Sequence, residues 1–170
     1  MIIRKELPID YKTVYSVIKS AFENAEHSDG NEQDLVNALR TSTAFIPELS
    51  LVAEINKKIV GHIMFTEIQI MNSIELALAP LSVLPEYQRK GIGTALITEG
   101  HKIAKDLGYN YSVVLGSEKY YPKNGYLPAG KFGIKPPFEV PSENFMIYKI
   151  REDAPKISGV VKYAKEFSIV

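Results

Sequence analysis

The 170-residue chain is 45% hydrophobic and carries 20 Lys and Arg against 20 Asp and Glu, so its formal charge is zero. That length and apolar content suit one compact domain over 1–170, with a core over about 1–150 and an extension over 151–170. Balanced charge excludes a whole-chain field that would gather nucleic acid or an anionic membrane, while the absence of Cys excludes disulfides and thiolate metal sites, and three scattered His leave no zinc set.

The N-terminal "MIIRKELPIDYK" has no long apolar stretch behind its charges. No apolar run approaches the ~18 residues of a membrane span, which implies a soluble, cytoplasmic protein. A short strand over Met1 to Lys5 is followed by Pro8 and Asp10 as break and cap. Tyr11, Val14, Tyr15, Ile18, Ala21 and Phe22 then fall at helical spacing. Glu23 to Asp34 breaks that period, and "LVNAL" after it reads as a short second helix. "SLVAEI" and "IVGHIMFTEIQI" flank Asn56-Lys57-Lys58 as a hairpin, and Asn72-Ser73 turns the chain into "IELALAPLSVL". Three neighbouring antiparallel strands result.

A long helix is predicted from Gly93 to Leu107, with Leu96, Ile97, Ile103 and Ala104 on one face, Gly100 as a weak point and Gly108 as its cap. "YSVVL" reads as a buried strand, so the strand–helix–strand unit forms a right-handed parallel crossover. "NFMIYKI" is a further strand beyond the Gly- and Pro-rich "PAGKFGIKPPFEVPSE", and the last twenty residues, with "GVVKYAKEF", fit strand and helix equally. That tail can dock in cis or in trans, leaving monomer and homodimer both open.

"PEYQRKGIGTAL" at the strand-to-helix junction is the most informative stretch. A P-loop requires Gly-Lys followed by Ser or Thr, which occurs nowhere, and a dinucleotide fingerprint requires a third Gly or Ala where Leu96 stands. What remains is a glycine loop entering a helix N-terminus, where free N–H groups and the helix dipole favour a pyrophosphate. Pro80 lies within an otherwise buried strand and marks a bulge, so pairing should loosen near Leu81 to Val83. Unpaired backbone there suits an extended, amide-bearing ligand that ends in a pyrophosphate.

"QRKGIG" resembles the acetyl-CoA motif of the GNAT superfamily of N-acetyltransferases: Gln or Arg, two residues, Gly, one residue, then Gly or Ala. The later "YYPKNGY" is similar to the family's aromatic-Tyr-x-x-x-Gly-aromatic signature, and "GHIMF", "APLSVLPEYQRKGIG", "VVLGSEKYYPKNGY" and "SENFMIYKI" together resemble a YhbS-like bacterial subgroup. The resemblance implies an α/β fold, a twisted mixed sheet with a V-shaped splay between its central strands and flanking helices. It implies acetyl-CoA as donor and direct transfer to a primary amine of a small molecule or protein, with no metal. Leu81 and Val83 would offer backbone to pantetheine, and Gln88, Arg89, Lys90, Gly91, Ile92, Gly93 and Thr94 would wrap the pyrophosphate.

Acetyl transfer needs a neutral nucleophile, a polarised carbonyl and a proton for the departing thiolate. Tyr121 is the candidate general acid, since a phenol stays protonated at neutral pH. Ala77 stands where some family members carry a basic glutamate, so the base falls to Glu75, Glu67 or a water chain. His62 reads as a hydrogen-bonded core residue and His101 as a surface one. The acidic loop from Glu23 to Asp34, with Glu26, Asp29 and Glu32, would border a cationic amine. Without Cys, an acyl-enzyme would fall to Ser82 or Ser117, neither in a base-activated motif. A different class keeps the fold without the reaction: an acyl-CoA-binding regulatory module. A third reading is transfer of a longer acyl group.

Overall fold

A computed structural model of the protein describes residues 1–25 and 28–168. Nine strands are present among them: β1 (Ile2–Lys5), β2 (Phe45–Ile55), β3 (Lys58–Ile70), β4 (Ser73–Val83), β5 (Tyr111–Leu115), β6 (Leu127–Pro128), β7 (Ile134–Lys135), β8 (Phe145–Lys149) and β9 (Gly159–Lys162). Three α-helices accompany them: α1 (Tyr11–Phe22), α2 (Glu32–Arg40) and α3 (Ile92–Asp106). The sheet runs β1-β2-β3-β4-β5-β8-β6, antiparallel throughout except for β4 and β5, which the α3 crossover makes parallel. This is the mixed, splayed α/β architecture expected from the sequence. No helix among the described residues is long and apolar enough to cross a membrane.

Both faces of the central strands are covered, which is why they read as near-continuous apolar runs. Leu51, Ala53, Ile63, Phe65, Leu76 and Leu78 pack with Leu96, Ile97 and Ala104 of α3. The alternate residues Val52 and Met64 pack with Val14, Val17 and Ile18 of α1 and Val36 and Leu39 of α2. One strand residue therefore serves the α3 layer and its neighbour the α1/α2 layer. Asn56 and Lys57 join β2 to β3 with φ of 50° and 67°, the mirror-image turn that matches strand twist.

Several boundaries differ from the expectation. Helix α2 begins at Glu32 rather than Leu35, because its first turn is polar and carries no apolar period. Glu32 accepts the Ser28 hydroxyl at 2.8 Å and the Asp29 N–H at 3.2 Å, and Asp34 adds negative charge at the helix start. The tail resolves as strand: β9 pairs antiparallel with β3 at Gln69 and Ile70 and parallel with β7, so it docks within its own chain.

Candidate active site

The site begins where β4 parts from β5. Their parallel pairing covers only Leu76 with Ser112 and Ala77 with Val113, although β4 continues to Val83. At Pro80 the β3–β4 register shifts: Ile63 faces Leu81 but Phe65 faces Leu78, one extra residue on β4. Beyond the bulge, the Leu84 N–H donates to Val60 O at 2.9 Å. Strand alternation then turns the backbone groups of Leu81 and Val83 away from β3, toward the side that β5 has left. The Val83 carbonyl accepts Gln88 Nε2 at 3.0 Å, so the glutamine ties the loop to the open strand.

The loop then prepares a helix start. Arg89 and Gly91 adopt left-handed φ of 62° and 85°, and Gly91 stands at the N-cap of α3. No side chain caps this helix, and its first internal bond runs from the Ala95 N–H to Gly91 O at 3.0 Å. The N–H groups of Ile92, Gly93 and Thr94 thus have no helical acceptor and carry the positive end of the dipole.

A cleft of about 700 Å³ gathers these parts: Leu81 and Val83 on one side, Gln88, Arg89, Gly91, Ile92, Gly93 and Thr94 at the loop, and Tyr121 opposite. Lys90 does not line it; its ammonium lies 5.6 Å from the Tyr87 ring centroid. Ser117, considered in the sequence only for an acyl-enzyme, also lines the cleft, as do Phe22, Tyr87, Tyr120 and Lys123, which the sequence did not mark as site residues. The Tyr120–Tyr121 doublet was the available signal. A Cβ on Gly93 would collide with the Tyr120 hydroxyl and stand 3.5 Å from Leu81, so this glycine lets the helix start approach the aromatic wall.

Tyr121 heads a short 3-10 turn, packed against the Gly116 backbone and edge-on to Tyr120 at 5.1 Å and Tyr126 at 5.6 Å between ring centroids. Burial, and secondarily Tyr120, push its phenol above the ordinary value, so it remains a proton donor throughout the physiological range. Its hydroxyl makes no hydrogen bond among the described residues. It is therefore a restrained donor with an unused proton.

Neither carboxylate considered for the base lines this cleft. Glu75 is fully buried near the start of β4. It accepts the N–H groups of Asn110 and Tyr111 at 2.9 and 3.0 Å and the Ser73 hydroxyl at 2.6 Å, which fixes the entry to β5. Glu67 borders a separate hollow and accepts the Tyr109 hydroxyl at 2.5 Å. Both act as acceptors for the fold. His101 is not on the surface: it is buried, stacked on Tyr148 at 4.0 Å and 3.0 Å from the Tyr126 hydroxyl, and burial lowers its pKa to about 4. The helical period hid this because Tyr126 and Tyr148 arrive from distant elements.

A second pocket of about 320 Å³ lies at the C-terminal end of α1, bordered by Lys19, Glu23, Asp29 and Glu32 and sharing Phe22 with the cleft. Asp29 and Glu32 therefore come together there, with Glu32 held by Ser28; Glu26 lies outside the described residues. Ser117 Oγ accepts the Lys119 N–H at 3.1 Å and Ser82 Oγ has no partner, so neither hydroxyl is activated by a base.

The model of the acetyltransferase (GNAT) family matches residues 12–126. The uncharacterised N-acetyltransferase YjhQ of Escherichia coli (strain K12) is 35% identical over 141 residues, 78% of each chain. YhbS of the same strain, likewise an uncharacterised N-acetyltransferase, is 27% identical over 99% of each chain. Among solved structures, Escherichia coli YhbS in complex with CoA superposes with a TM-score of 0.89 at 25% identity, covering 98% of this chain and 91% of its own. A GNAT family acetyltransferase from Brucella melitensis in complex with acetyl-CoA has a TM-score of 0.80 at 33% identity, covering 98% and 97%.

Proposed function

Because the chain belongs to the acetyltransferase (GNAT) family, we propose that it moves an acetyl group from acetyl-CoA directly onto a primary amine of a small molecule or a protein. The observation that carries this reading is the uncapped start of α3 opening into a cleft whose other wall is the unpaired edge of β4. Backbone at Leu81 and Val83 can pair with the two amides of pantetheine as a surrogate strand. The N–H groups after Gly91 and the charge of Arg89 suit the pyrophosphate. CoA and acetyl-CoA are bound by the Escherichia coli and Brucella melitensis relatives.

Tyr121 supplies the proton that the thiolate needs as it leaves. The amine enters through the α1 pocket, where Glu23 and Asp29 outnumber Lys19 and favour a cationic acceptor. Direct transfer follows from the absence of Cys and of an activated serine. The test is free-thiol release from acetyl-CoA across a panel of amines and diamines, with the product identified by mass and CoA affinity measured by calorimetry. Amine-dependent thiol release with an N-acetylated product is expected. Tight CoA binding without turnover on any amine would instead make the protein an acyl-CoA-binding module.

A further inference from the structure

We infer that Lys102 and Lys123 form a second phosphate seat beside the cleft, one that selects a donor carrying the ribose 3′-phosphate of CoA over a donor without it. The seat rests on acetyl-CoA being the donor. A hollow of about 440 Å³ runs along α3 and meets the cleft at two shared residues, Thr94 and Lys123. Thr94 belongs to the first turn of α3, whose free N–H groups suit a pyrophosphate, so the hollow starts where that group would end. From there Thr94, Thr98, His101, Lys102 and Lys105 border it in steps of three and four residues, which is one face of the helix. Lys123 joins them from the 3-10 turn that Tyr121 heads.

The hollow is cationic and uncompensated. Lys102, Lys105 and Lys123 are exposed, no carboxylate borders the hollow, and none of the three makes a salt bridge among the described residues. Elsewhere cations find partners: Arg4 holds Asp10 and Glu54, Arg40 holds Glu6, and Lys58 approaches Glu86 at 4.0 Å. His101 adds no charge, because burial keeps its ring neutral at pH 7. The chain as a whole balances 20 cations against 20 anions, so three unpaired ammoniums around one hollow are a local concentration of charge. A phosphomonoester, which carries about −1.5 to −2 at pH 7, relieves their mutual repulsion and matches their hydrogen-bond donors.

Spacing decides which phosphate this is. The 3′-phosphate of CoA sits on the ribose whose 5′ oxygen bears the pyrophosphate, so one sugar separates the two anionic groups. Along α3 the axial distance from Gly93 to Thr98 is about 7.5 Å, at ~1.5 Å per residue, which suits a single sugar. Lys102 is rooted one turn further on, and its side chain leans back toward the helix N-terminus, over Thr98. Lys105 is rooted most of another turn away and contributes field rather than contact. The thioester lies at the other end of the donor, so the seat acts on donor binding and leaves the chemical step to the cleft.

Calorimetry on the full chain with CoA and 3′-dephospho-CoA tests this. At low salt, wild type should bind CoA ~10-fold or more tightly than 3′-dephospho-CoA, and the gap should narrow at high salt, since exposed charges are screened. Lys102→Gln and Lys123→Gln change exposed side chains without ion pairs, so the wild-type melting temperature should persist. Together they should abolish the preference by weakening CoA ~10-fold, with 3′-dephospho-CoA within about twofold of its wild-type affinity. Lys105→Gln should weaken CoA by less than about threefold. With an amine that is turned over, the loss in the double variant should fall on the KM for acetyl-CoA rather than on kcat. Wild-type affinities within about twofold for the two ligands would overturn the proposal, as would a preference that survives the double variant. Equal losses from all three single substitutions would also overturn it, leaving a diffuse field in place of a seat. If wild type binds neither ligand, the acetyl-CoA reading itself falls, and the seat falls with it.

Discussion

The general-acid role proposed for Tyr121 rests on restraint. Its ring is wedged between the Gly116 backbone, Tyr120 and Tyr126, so the hydroxyl cannot swing away, and burial keeps it protonated. Tyr121→Phe should leave the aromatic packing intact and lower kcat by ~10- to 1000-fold, with CoA affinity within about twofold, because only the transferable proton is lost. Steady-state kinetics beside calorimetry separates the two, and an unchanged kcat would remove Tyr121 from the chemistry. Gly93 offers a contrasting test. Gly93→Ala drives a methyl into the Tyr120 hydroxyl. The expected result is a CoA dissociation constant raised about tenfold, ~1.4 kcal/mol. Tyr120→Phe in the same chain removes the colliding oxygen and leaves ring carbon Cζ at 3.4 Å, so affinity should return. If the double variant binds as weakly as Gly93→Ala alone, the loss lies in the helix start itself.

At the level of elements, α3 joins the cleft proposed for the donor to the packed core. Its N-terminal turn faces the cleft while Gly100, midway along, lies under the Phe65 ring of β3, where a Cβ would collide with Cε2 and stand 3.0 Å from Cζ. Sequence reading treats Gly100 as a weak point in a helix, where alanine would help by up to ~1 kcal/mol. Overpacking a core costs ~1–3 kcal/mol, and that term should win. Gly100→Ala is thus expected to lower the urea midpoint of unfolding; an unchanged or higher midpoint would mean that Phe65 yields without strain. The same helix shows what the sequence could disclose. Its entry glycines, the bulge at Pro80 and the tyrosine doublet are local signals, and they mark the cleft proposed for acetyl-CoA. The acidic pocket proposed for the amine is assembled from the end of α1 and the start of α2, and the buried polar contacts behind it cross still longer spans. His62 and Ser50 are twelve residues apart, and Glu6 is forty-four from Ser50. No spacing rule along one element reveals that they touch, and Glu75 misled for the same reason: its partners at Asn110 and Tyr111 come from across the parallel crossover.

Across the whole molecule, the two described histidines are both kept neutral by burial, and this links folding to pH. His62 is held down to about 3 and His101 to about 4, against 6.5 in an exposed ring. For a base whose folded pKa is depressed, the unfolded state binds the extra proton, so stability rises with pH between the two values and is lost as pH falls below ~6.5. The pair should give a steepest slope of about two protons, or ~2.7 kcal/mol per pH unit at ~1.36 each, between roughly pH 4.5 and 6. Above about pH 7 neither contributes a slope, since both states hold neutral imidazole. Urea unfolding at pH 7, 6 and 5 checks this, and His101→Gln should remove about one proton from the slope while leaving the His62 share. The two sites need not respond alike. His101 borders an open hollow shared with Lys102, Lys105 and Lys123, through which water can reach its ring, whereas His62 is sealed beneath α1 and α2. A flat profile in wild type would mean that both rings accept protons in the folded state. A profile flattened only by His62→Gln would mean that His101 alone does so, leaving His62, buried beside Ser50 and Glu6, as the residue that sets acid stability.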